Sequence, residues 1–194
     1  MPTAVFLKSA AKPADFPADS GREVAFVGRS NSGKSTAVNM IAGARKLARV
    51  SKTPGRTQLI NFFTLDDERR LVDLPGYGFA RAAPAVQAQW RRLIETYLRE
   101  RASLVGLVLT VDARRGLMQL DEQLLRWLES HRDLPVAVLL TKTDKVSRAA
   151  ALEAERATSA ALRPATFVAG FSALTGAGVD AARGWLDERL AAHE

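Results

Sequence analysis

Residues 28–35 read Gly28-Arg29-Ser30-Asn31-Ser32-Gly33-Lys34-Ser35, and this octet decides the fold. It fits the phosphate-loop pattern G-x-x-x-x-G-K-S/T in full. The glycines let backbone N–H groups curl around phosphate oxygens, and the start of a following helix adds partial positive charge. Lys34 is suited to the β- and γ-phosphates of a nucleotide, and the Ser35 hydroxyl to Mg²⁺. Arg29, Ser30, Asn31, Ser32 and Thr36 complete the phosphate-facing turn. The flanks agree with this reading. Residues 23–27 (EVAFV) are a predicted strand directly before the loop, and residues 35–41 read as a helix.

Outward from the octet, apolar β-rich runs alternate with helical patterns. Residues 59–65 (LINFFTL) and 70–74 are predicted strands joined by the polar turn Asp66-Asp67-Glu68, as in a hairpin. Residues 104–112 and 135–141 are near-continuous apolar runs, the pattern of strands buried on both faces of a parallel sheet. Residues 165–171 add a sixth strand. Trp90, Leu93, Ile94, Tyr97 and Leu98 recur at helical spacing, with Pro84 suited to the first turn. Leu117, Leu120, Leu124 and Leu128 form a second stripe. Residues 147–162 are Ala-rich and helical, and Val179, Ala182, Leu186 and Leu190 line a last helix. Such stripes are core faces.

Strands alternating with helices predict a doubly wound α/β domain. The expected sheet is six-stranded and mostly parallel, with one antiparallel edge strand from the hairpin and helices on both faces. Residues 1–22 carry Pro2, Pro13, Pro17 and Gly21. They read as an N-terminal extension packed on the domain, with a short strand candidate at residues 5–7. Residues 23–194 form the single domain. In such sheets ligands sit beyond the carboxyl ends of the strands.

Composition bounds the chemistry. The 194 residues suit one domain, and 47% hydrophobic with 25% charged residues is ordinary for a soluble globular chain. The absence of cysteine excludes disulfides, thiolate metal sites and cysteine nucleophiles. His131 and His193 are the two histidines, so a multi-histidine metal centre is excluded, and both read as solvent-facing. No apolar run approaches the roughly 18–20 residues of a membrane span. Lys8, Lys12 and Asp15 interrupt anything resembling the apolar core of a signal peptide. A reducing cytoplasm and no membrane partner are expected. No heptad seam is visible, so a monomer is expected. The net charge of +7 fits a polyanionic partner such as nucleic acid, and it fits equally a soluble chain of Arg-rich composition.

Three further segments carry chemistry. Asp73-Leu74-Pro75-Gly76 ends a predicted strand; there Asp73 suits Mg²⁺ and the Gly76 N–H suits a γ-phosphate. Asp-Gly turns are common, and the weight of this one comes from its place after a phosphate loop and an apolar strand. Thr141-Lys142-Thr143-Asp144 ends the strand at residues 135–141. Guanine presents a ring N–H and an exocyclic amine that one carboxylate accepts together, and adenine lacks that pair. Asp144 is therefore the candidate discriminator for guanine, and the stem of Lys142 suits the base face. Phe171-Ser172-Ala173 follows the last strand; a backbone N–H at Ala173 would meet the guanine oxygen, although Ser-Ala alone is a weak signal.

Together and in order, these segments resemble the translation-factor-related GTPases. Nearly the whole chain resembles the EngB/YihA/YsxC family of bacterial ribosome-biogenesis GTPases, within the TrmE-Era-EngA-EngB-Septin-like class. The stretches that carry the resemblance are residues 24–35 (VAFVGRSNSGKS), 51–63 (SKTPGRTQLINFF), 73–80 (DLPGYGFA), 111–116 (VDARRG) with Asp121, and 141–145 (TKTDK). The resemblance implies a Ras-like P-loop GTPase domain that binds GTP and GDP with Mg²⁺. It implies action on the large ribosomal subunit and its rRNA, and a link to cell division and septation. Thr57 would be the first-switch threonine completing Mg²⁺ coordination, beside Gly55 and Arg56. Residues 47–58 would be switch one and residues 75–85 switch two, loops that order around a γ-phosphate. The family commonly starts its base-reading segment with Thr, as Thr141 does here.

Within that resemblance Lys34, Ser35, Thr57 and the Gly76 backbone would stabilise the transition state. Tyr77 stands where Ras-like enzymes carry a water-orienting Gln, so slow intrinsic turnover, on the order of 10⁻⁴–10⁻³ s⁻¹, is expected without a partner to complete the site. Two readings fit Asn31: a residue that helps hold an activating K⁺, as in related GTPases, or a turn residue held by its own hydrogen bonds. Arg45, Lys46, Arg49, Lys52 and Arg56 cluster without an acidic neighbour, and Arg81, Arg91 and Arg92 follow switch two. These read as rRNA phosphate contacts or as a solvated charged face. Arg114 and Arg115 match the family pattern with no physical role attached. Two other functions stay open from sequence: a nucleotide-gated RNA adaptor with negligible turnover, and another P-loop NTPase or kinase, which leaves Asp144 unexplained.

Overall fold

The computed structural model describes residues 1–44, 47, 59–77, 84–164 and 166–191, the side chains of residues 84–87 and 90 excepted. In chain order the strands are β1 (Val5–Ala10), β2 (Arg22–Gly28), β3 (Ile60–Thr64), β4 (Arg69–Asp73), β5 (Leu104–Asp112), β6 (Val136–Thr141) and β7 (Phe167–Phe171). The α-helices are α1 (Lys34–Ile41), α2 (Pro84–Glu100), α3 (Gln119–His131), α4 (Arg148–Ala160) and α5 (Val179–Leu190). All strands form one sheet in the order β1-β3-β4-β2-β5-β6-β7. β2, β4, β5, β6 and β7 are mutually parallel. β3 runs antiparallel to both neighbours, β1 and β4.

The sheet therefore has seven strands where the pattern predicts six, and its antiparallel strand lies inside the edge instead of forming it. The added strand comes from the N-terminal segment. β1 pairs with β3 across a bulge between Phe6 and Lys8, and the rings of Phe6 and Phe63 meet at 6.0 Å. As an edge strand β1 exposes Val5, Phe6 and Leu7 and continues into Lys8 and Ser9. Its apolar signal is correspondingly brief.

Period-two alternation in β2 divides the core into two layers. Val24 and Phe26 face α1 and α5, joining Val38, Ile41, Trp185 and Leu186. Ala25 and Val27 face the other side with Leu93, Tyr97, Leu98, Leu125 and Leu128. One helical stripe differs from expectation. α3 begins at Gln119, so Leu117 precedes it, and Leu120 is exposed. The buried face runs through Asp121, Leu125 and Leu128, because the Asp121 carboxylate turns back to accept the Met118 N–H at 2.9 Å.

The sheet presents two chemically distinct ends. The parallel strands terminate on Gly28, Asp73, Asp112, Thr141 and Phe171, which gathers the segments singled out in the sequence at one end. The amino ends close over a buried charge cluster. Glu23, fully buried, accepts from Arg70 Nε (2.8 Å), Arg101 Nε (2.9 Å) and Nη2 (2.7 Å), and the Tyr97 hydroxyl (2.9 Å). Arg101 also donates to the carbonyls of Pro17 (2.9 Å) and Ala18 (3.0 Å). The Phe16 ring packs on Phe62 and Tyr97. The segment between β1 and β2 is thereby strapped across the amino ends.

Candidate functional site

The phosphate loop fills the gap between β2 and α1. Gly28 has no room for a side chain: a Cβ there would stand 2.2 Å from Thr110 Oγ1 and 2.6 Å from Ser32 Oγ. Gly33 has φ +91°, a left-handed conformation that side-chain-bearing residues resist. Asn31 is also left-handed, at φ 65°, which fits its reading as a turn residue. Three hydroxyls seat the loop from below. Ser32 Oγ and Thr110 Oγ1 lie 2.7 Å apart, and Thr110 Oγ1 donates to the Val27 carbonyl at 3.2 Å. The Thr141 hydroxyl donates to the Ser32 carbonyl.

Lys34, the first residue of α1, forms an ion pair with Asp73 at the end of β4. Asp73 is 6% exposed, so this is a largely desolvated pair. Ser35 follows on the first turn of α1. Ser35 and Asp73 offer only oxygen donors, the chemistry a hard divalent cation such as Mg²⁺ prefers. Among the described residues no group of three or more His, Cys, Asp or Glu side chains is arranged to hold a metal alone. Such an ion would need ligand or water oxygens besides these two.

Gly76 leads into a short parallel bridge between Arg29 and Tyr77. The Tyr77 N–H donates to the Gly28 carbonyl (3.2 Å), and the Ser30 N–H to the Tyr77 carbonyl (3.0 Å). The start of the predicted second switch is thus stitched to the phosphate loop by backbone alone. The Tyr77 hydroxyl donates to the Asp121 carboxylate, whose other oxygen caps α3. Burial, with the Asp121 charge, pushes the phenol pKa far up, so Tyr77 stays a protonated donor.

At the base end, Asp144 sits in a single 3₁₀ turn, Thr143–Lys145, after β6. The Ser172 hydroxyl donates to Asp144 Oδ1 at 2.8 Å, and Lys145 lies 3.3 Å from Oδ2. The Ser172 bond, with Lys145, holds the Asp144 carboxyl below the usual carboxylate range, so it is an ionised acceptor. Ser172 Oγ also accepts the Leu174 (3.3 Å) and Thr175 (3.2 Å) N–H groups, which shapes the loop carrying Ala173. The Phe171 ring is buried in the core, and its contribution here is to end β7 beneath that loop. Lys142, left-handed at φ 61°, donates from Nζ to the Asn31 carbonyl at 2.6 Å.

The structure thus brings Gly28–Ser35, Asp73, Gly76, Thr141, Lys142, Asp144 and Ser172 to one end of the sheet, with Thr36 exposed on α1. Gly55, Arg56 and Thr57 lie outside the described residues, as do Arg45, Lys46, Arg49, Lys52, Arg81, His193 and residues 78–83. Arg91 and Arg92 are exposed on α2, and His131 is exposed and stacks on Trp127 at 4.6 Å. Sequence reading missed Thr110, Asp112 and Asp121 as parts of the site. Asp112 had a usable signal, an aspartate closing an apolar strand just as Asp73 does. Thr110 had none, since a hydroxyl inside an apolar run reads as an ordinary strand residue.

Comparisons with known proteins agree with this geometry. The family described as "50S ribosome-binding GTPase" matches residues 23–142. A probable GTP-binding protein EngB of Nitrosococcus oceani is 51% identical over 177 residues, covering 90% of this chain and 88% of that protein. Its counterpart in Azoarcus sp. is 55% identical over 145 residues, covering 75% of this chain and 69% of that protein. Among solved structures, a probable GTP-binding protein EngB shares the fold with TM-score 0.71 at 24% identity, over 87% of this chain and 98% of that one. Aquifex aeolicus Era bound to GDP and aluminium fluoride shares it with TM-score 0.72 at 23% identity, over 90% of this chain and 58% of that one. No helix among the described residues is long and apolar enough to cross a membrane.

Proposed function

Because this chain belongs to the EngB family of GTP-binding proteins, within the 50S ribosome-binding GTPases, we propose that it is a Mg²⁺-dependent GTPase switch acting in assembly of the large ribosomal subunit in the cytoplasm. The observation that carries the reading is convergence. The phosphate loop, Asp73, the Thr141–Asp144 segment and Ser172 come from four parallel strands and meet at one end of the sheet. Residues 23–194 act as the GTPase domain, and residues 1–22 as its packed extension.

In this reading the loop N–H groups and Lys34 hold the nucleotide phosphates. To do so Lys34 would exchange Asp73 for phosphate oxygens, and Asp73, Ser35 and Thr57 are the residues that would hold Mg²⁺. When bound, Mg²⁺ supplies charge neutralisation on the β- and γ-phosphates. Asp144 accepts the two guanine donors, the stem of Lys142 covers the base and the Ala173 N–H reaches the guanine oxygen. Water attacks the γ-phosphorus, the bond to the β-bridging oxygen breaks, and GDP and phosphate leave. Lys34 and the Gly76 N–H favour the charge that develops.

Tyr77 is a poor water-orienting group, because its hydroxyl is committed to Asp121. Intrinsic turnover is therefore on the order of 10⁻⁴–10⁻³ s⁻¹, and a ribosomal partner completes the site. A K⁺ beside Asn31 would add missing positive charge, and equal turnover in matched K⁺ and Na⁺ buffers removes that part of the reading. The basic residues flanking the switches contact rRNA phosphates. Co-sedimentation with purified ribosomal subunits tests the whole. Binding to the large subunit with a non-hydrolysable GTP analogue, lost with GDP and weakened by salt, is expected. Equal behaviour with both nucleotides sinks the ribosomal role. Turnover unchanged by ribosomal particles favours an adaptor with negligible hydrolysis.

A further inference from the structure

Asp112, the last residue of β5, is 8% exposed and carries two cations. Arg114 grips it with three donors: its backbone N–H (3.1 Å) and Nε (2.9 Å) on Oδ1, and Nη2 (2.6 Å) on Oδ2. Lys142 Nζ lies 2.9 Å from Oδ2 on the same carboxylate and donates onward to the Asn31 carbonyl at 2.6 Å. The Arg114 side chain is 48% exposed, so it fills no core space. Asn31 and Lys142 are the only left-handed non-glycine residues among those described, and this line of contacts joins them directly. Backbone in that region persists only where its surroundings hold it.

We propose that Asp112 is a positioning residue for guanine-nucleotide retention. Clamped by Arg114, it fixes the Lys142 ammonium on the Asn31 carbonyl, so that the base-reading segment and the phosphate loop are held as one unit. The inference rests on the reading of Lys142 and Asp144 as base contacts. It also gives Arg114 a physical role, because the guanidinium fork fixes the carboxylate plane, which a single surface ion pair would leave free to rotate. Arg114 binding drives the Asp112 carboxyl well below the usual carboxylate range, so the clamp is charged at any pH at which the protein works.

The test measures release of fluorescently labelled GDP from the full chain and from Asp112→Asn, Lys142→Ala, the double variant, Arg114→Ala and Asp144→Asn. Loss of a charge-assisted hydrogen bond makes Asp112→Asn release GDP about tenfold faster. In the Lys142→Ala background the Asp112 change has no further effect, since it acts through that lysine. Arg114→Ala also speeds release, and an unchanged rate there overturns the role given to the guanidinium. Rates that multiply in the double variant overturn the proposal, because Asp112 then acts by another route, and so does an unchanged rate in Asp112→Asn. Arg114→Ala is a half-exposed surface change that keeps the fold, and it carries the test should Asp112→Asn fail to fold. Asp144→Asn reports on the premise separately: if guanine preference survives it, the base contacts themselves are wrong.

Discussion

The chain contains two tyrosines, and they stand at opposite ends of the sheet doing the same local chemistry in different settings. Tyr97 donates to Glu23 at the amino ends, fully buried, with Arg70 and Arg101 on the same carboxylate. Tyr77 donates to Asp121 at the carboxyl ends, part-buried, on a segment that leads into the predicted second switch. Around Glu23 every partner is intramolecular and closed in. Around the phosphate loop the ion pairs Lys34–Asp73, Lys142–Asp112 and Lys145–Asp144 lie among the segments of the proposed nucleotide site. One end is a closed charge cluster that resists exchange. The other surrounds the proposed nucleotide site, where Lys34 would exchange Asp73 for phosphate oxygens while Asp112 keeps its hold on Lys142.

That contrast breaks most visibly through Glu23. Removing its charge in Glu23→Gln leaves the buried Arg70 without its carboxylate and Arg101 with only the Asp19 carboxylate at 3.5 Å, and a loss of about 3 kcal/mol in urea-unfolding stability is expected. A loss below ~1 kcal/mol would mean that the amino end is wetter than its burial indicates. Lys34→Ala should weaken GTP binding by about 2–3 kcal/mol, roughly a hundredfold, and also lower the unfolding midpoint, because it leaves the largely desolvated Asp73 carboxylate unpaired. Equilibrium titration with GTP beside urea unfolding separates the two effects. Asp144→Asn is expected to weaken guanine binding about tenfold and leave adenine binding untouched. Because its carboxyl pKa is depressed, the Asp144 contribution is present above the unfolded value of 3.8 and lost as pH falls below it. GDP affinity should therefore show no Asp144-dependent change between about pH 5 and 8.

The subtlest expectation concerns the phenols themselves. Both pKa values are raised chiefly by burial, so the stability they contribute is full below the unfolded value near 10 and declines as pH rises beyond it. A near-ultraviolet absorbance titration of the folded protein should show no phenolate at pH 10, and both should appear only with alkaline unfolding. Early ionisation of one tyrosine would mark the Tyr77 end as the looser.

The same contrast governs what could be read from the chain. Gly28, Gly33 and Lys34 are legible because backbone curvature and phosphate chemistry each demand one residue type at a set spacing. Asp73 is legible because it closes a strand with a carboxylate, and Asp144 because a carboxylate in the turn after a strand suits the paired donors of guanine. Ser172 reaches Asp144 only through the β6–β7 pairing, and a serine before an alanine carries no trace of that. Glu23, Arg70, Tyr97 and Arg101 belong to no spacing rule at all, since their proximity exists only once β2, β4 and α2 have met. β1 escaped the strand count for a related reason. An edge strand needs one buried face at most, so its apolar run stops at Leu7 while its pairing continues to Ala10.

The closed cluster at the amino ends also bears on how the protein is made. Glu23 precedes Arg70 by 47 residues and Arg101 by 78. At a synthesis rate of ~5–20 residues per second, roughly 4–16 s separate Glu23 from the last partner of its carboxylate. During that interval β2 carries a charge that cannot be buried without cost. Nascent chains halted before Arg101 should accordingly remain open to protease at β2, and chains extended through α2 and β5 should resist. A member of a family of ribosome-binding GTPases would thus depend, for its own maturation, on how far a ribosome has already read.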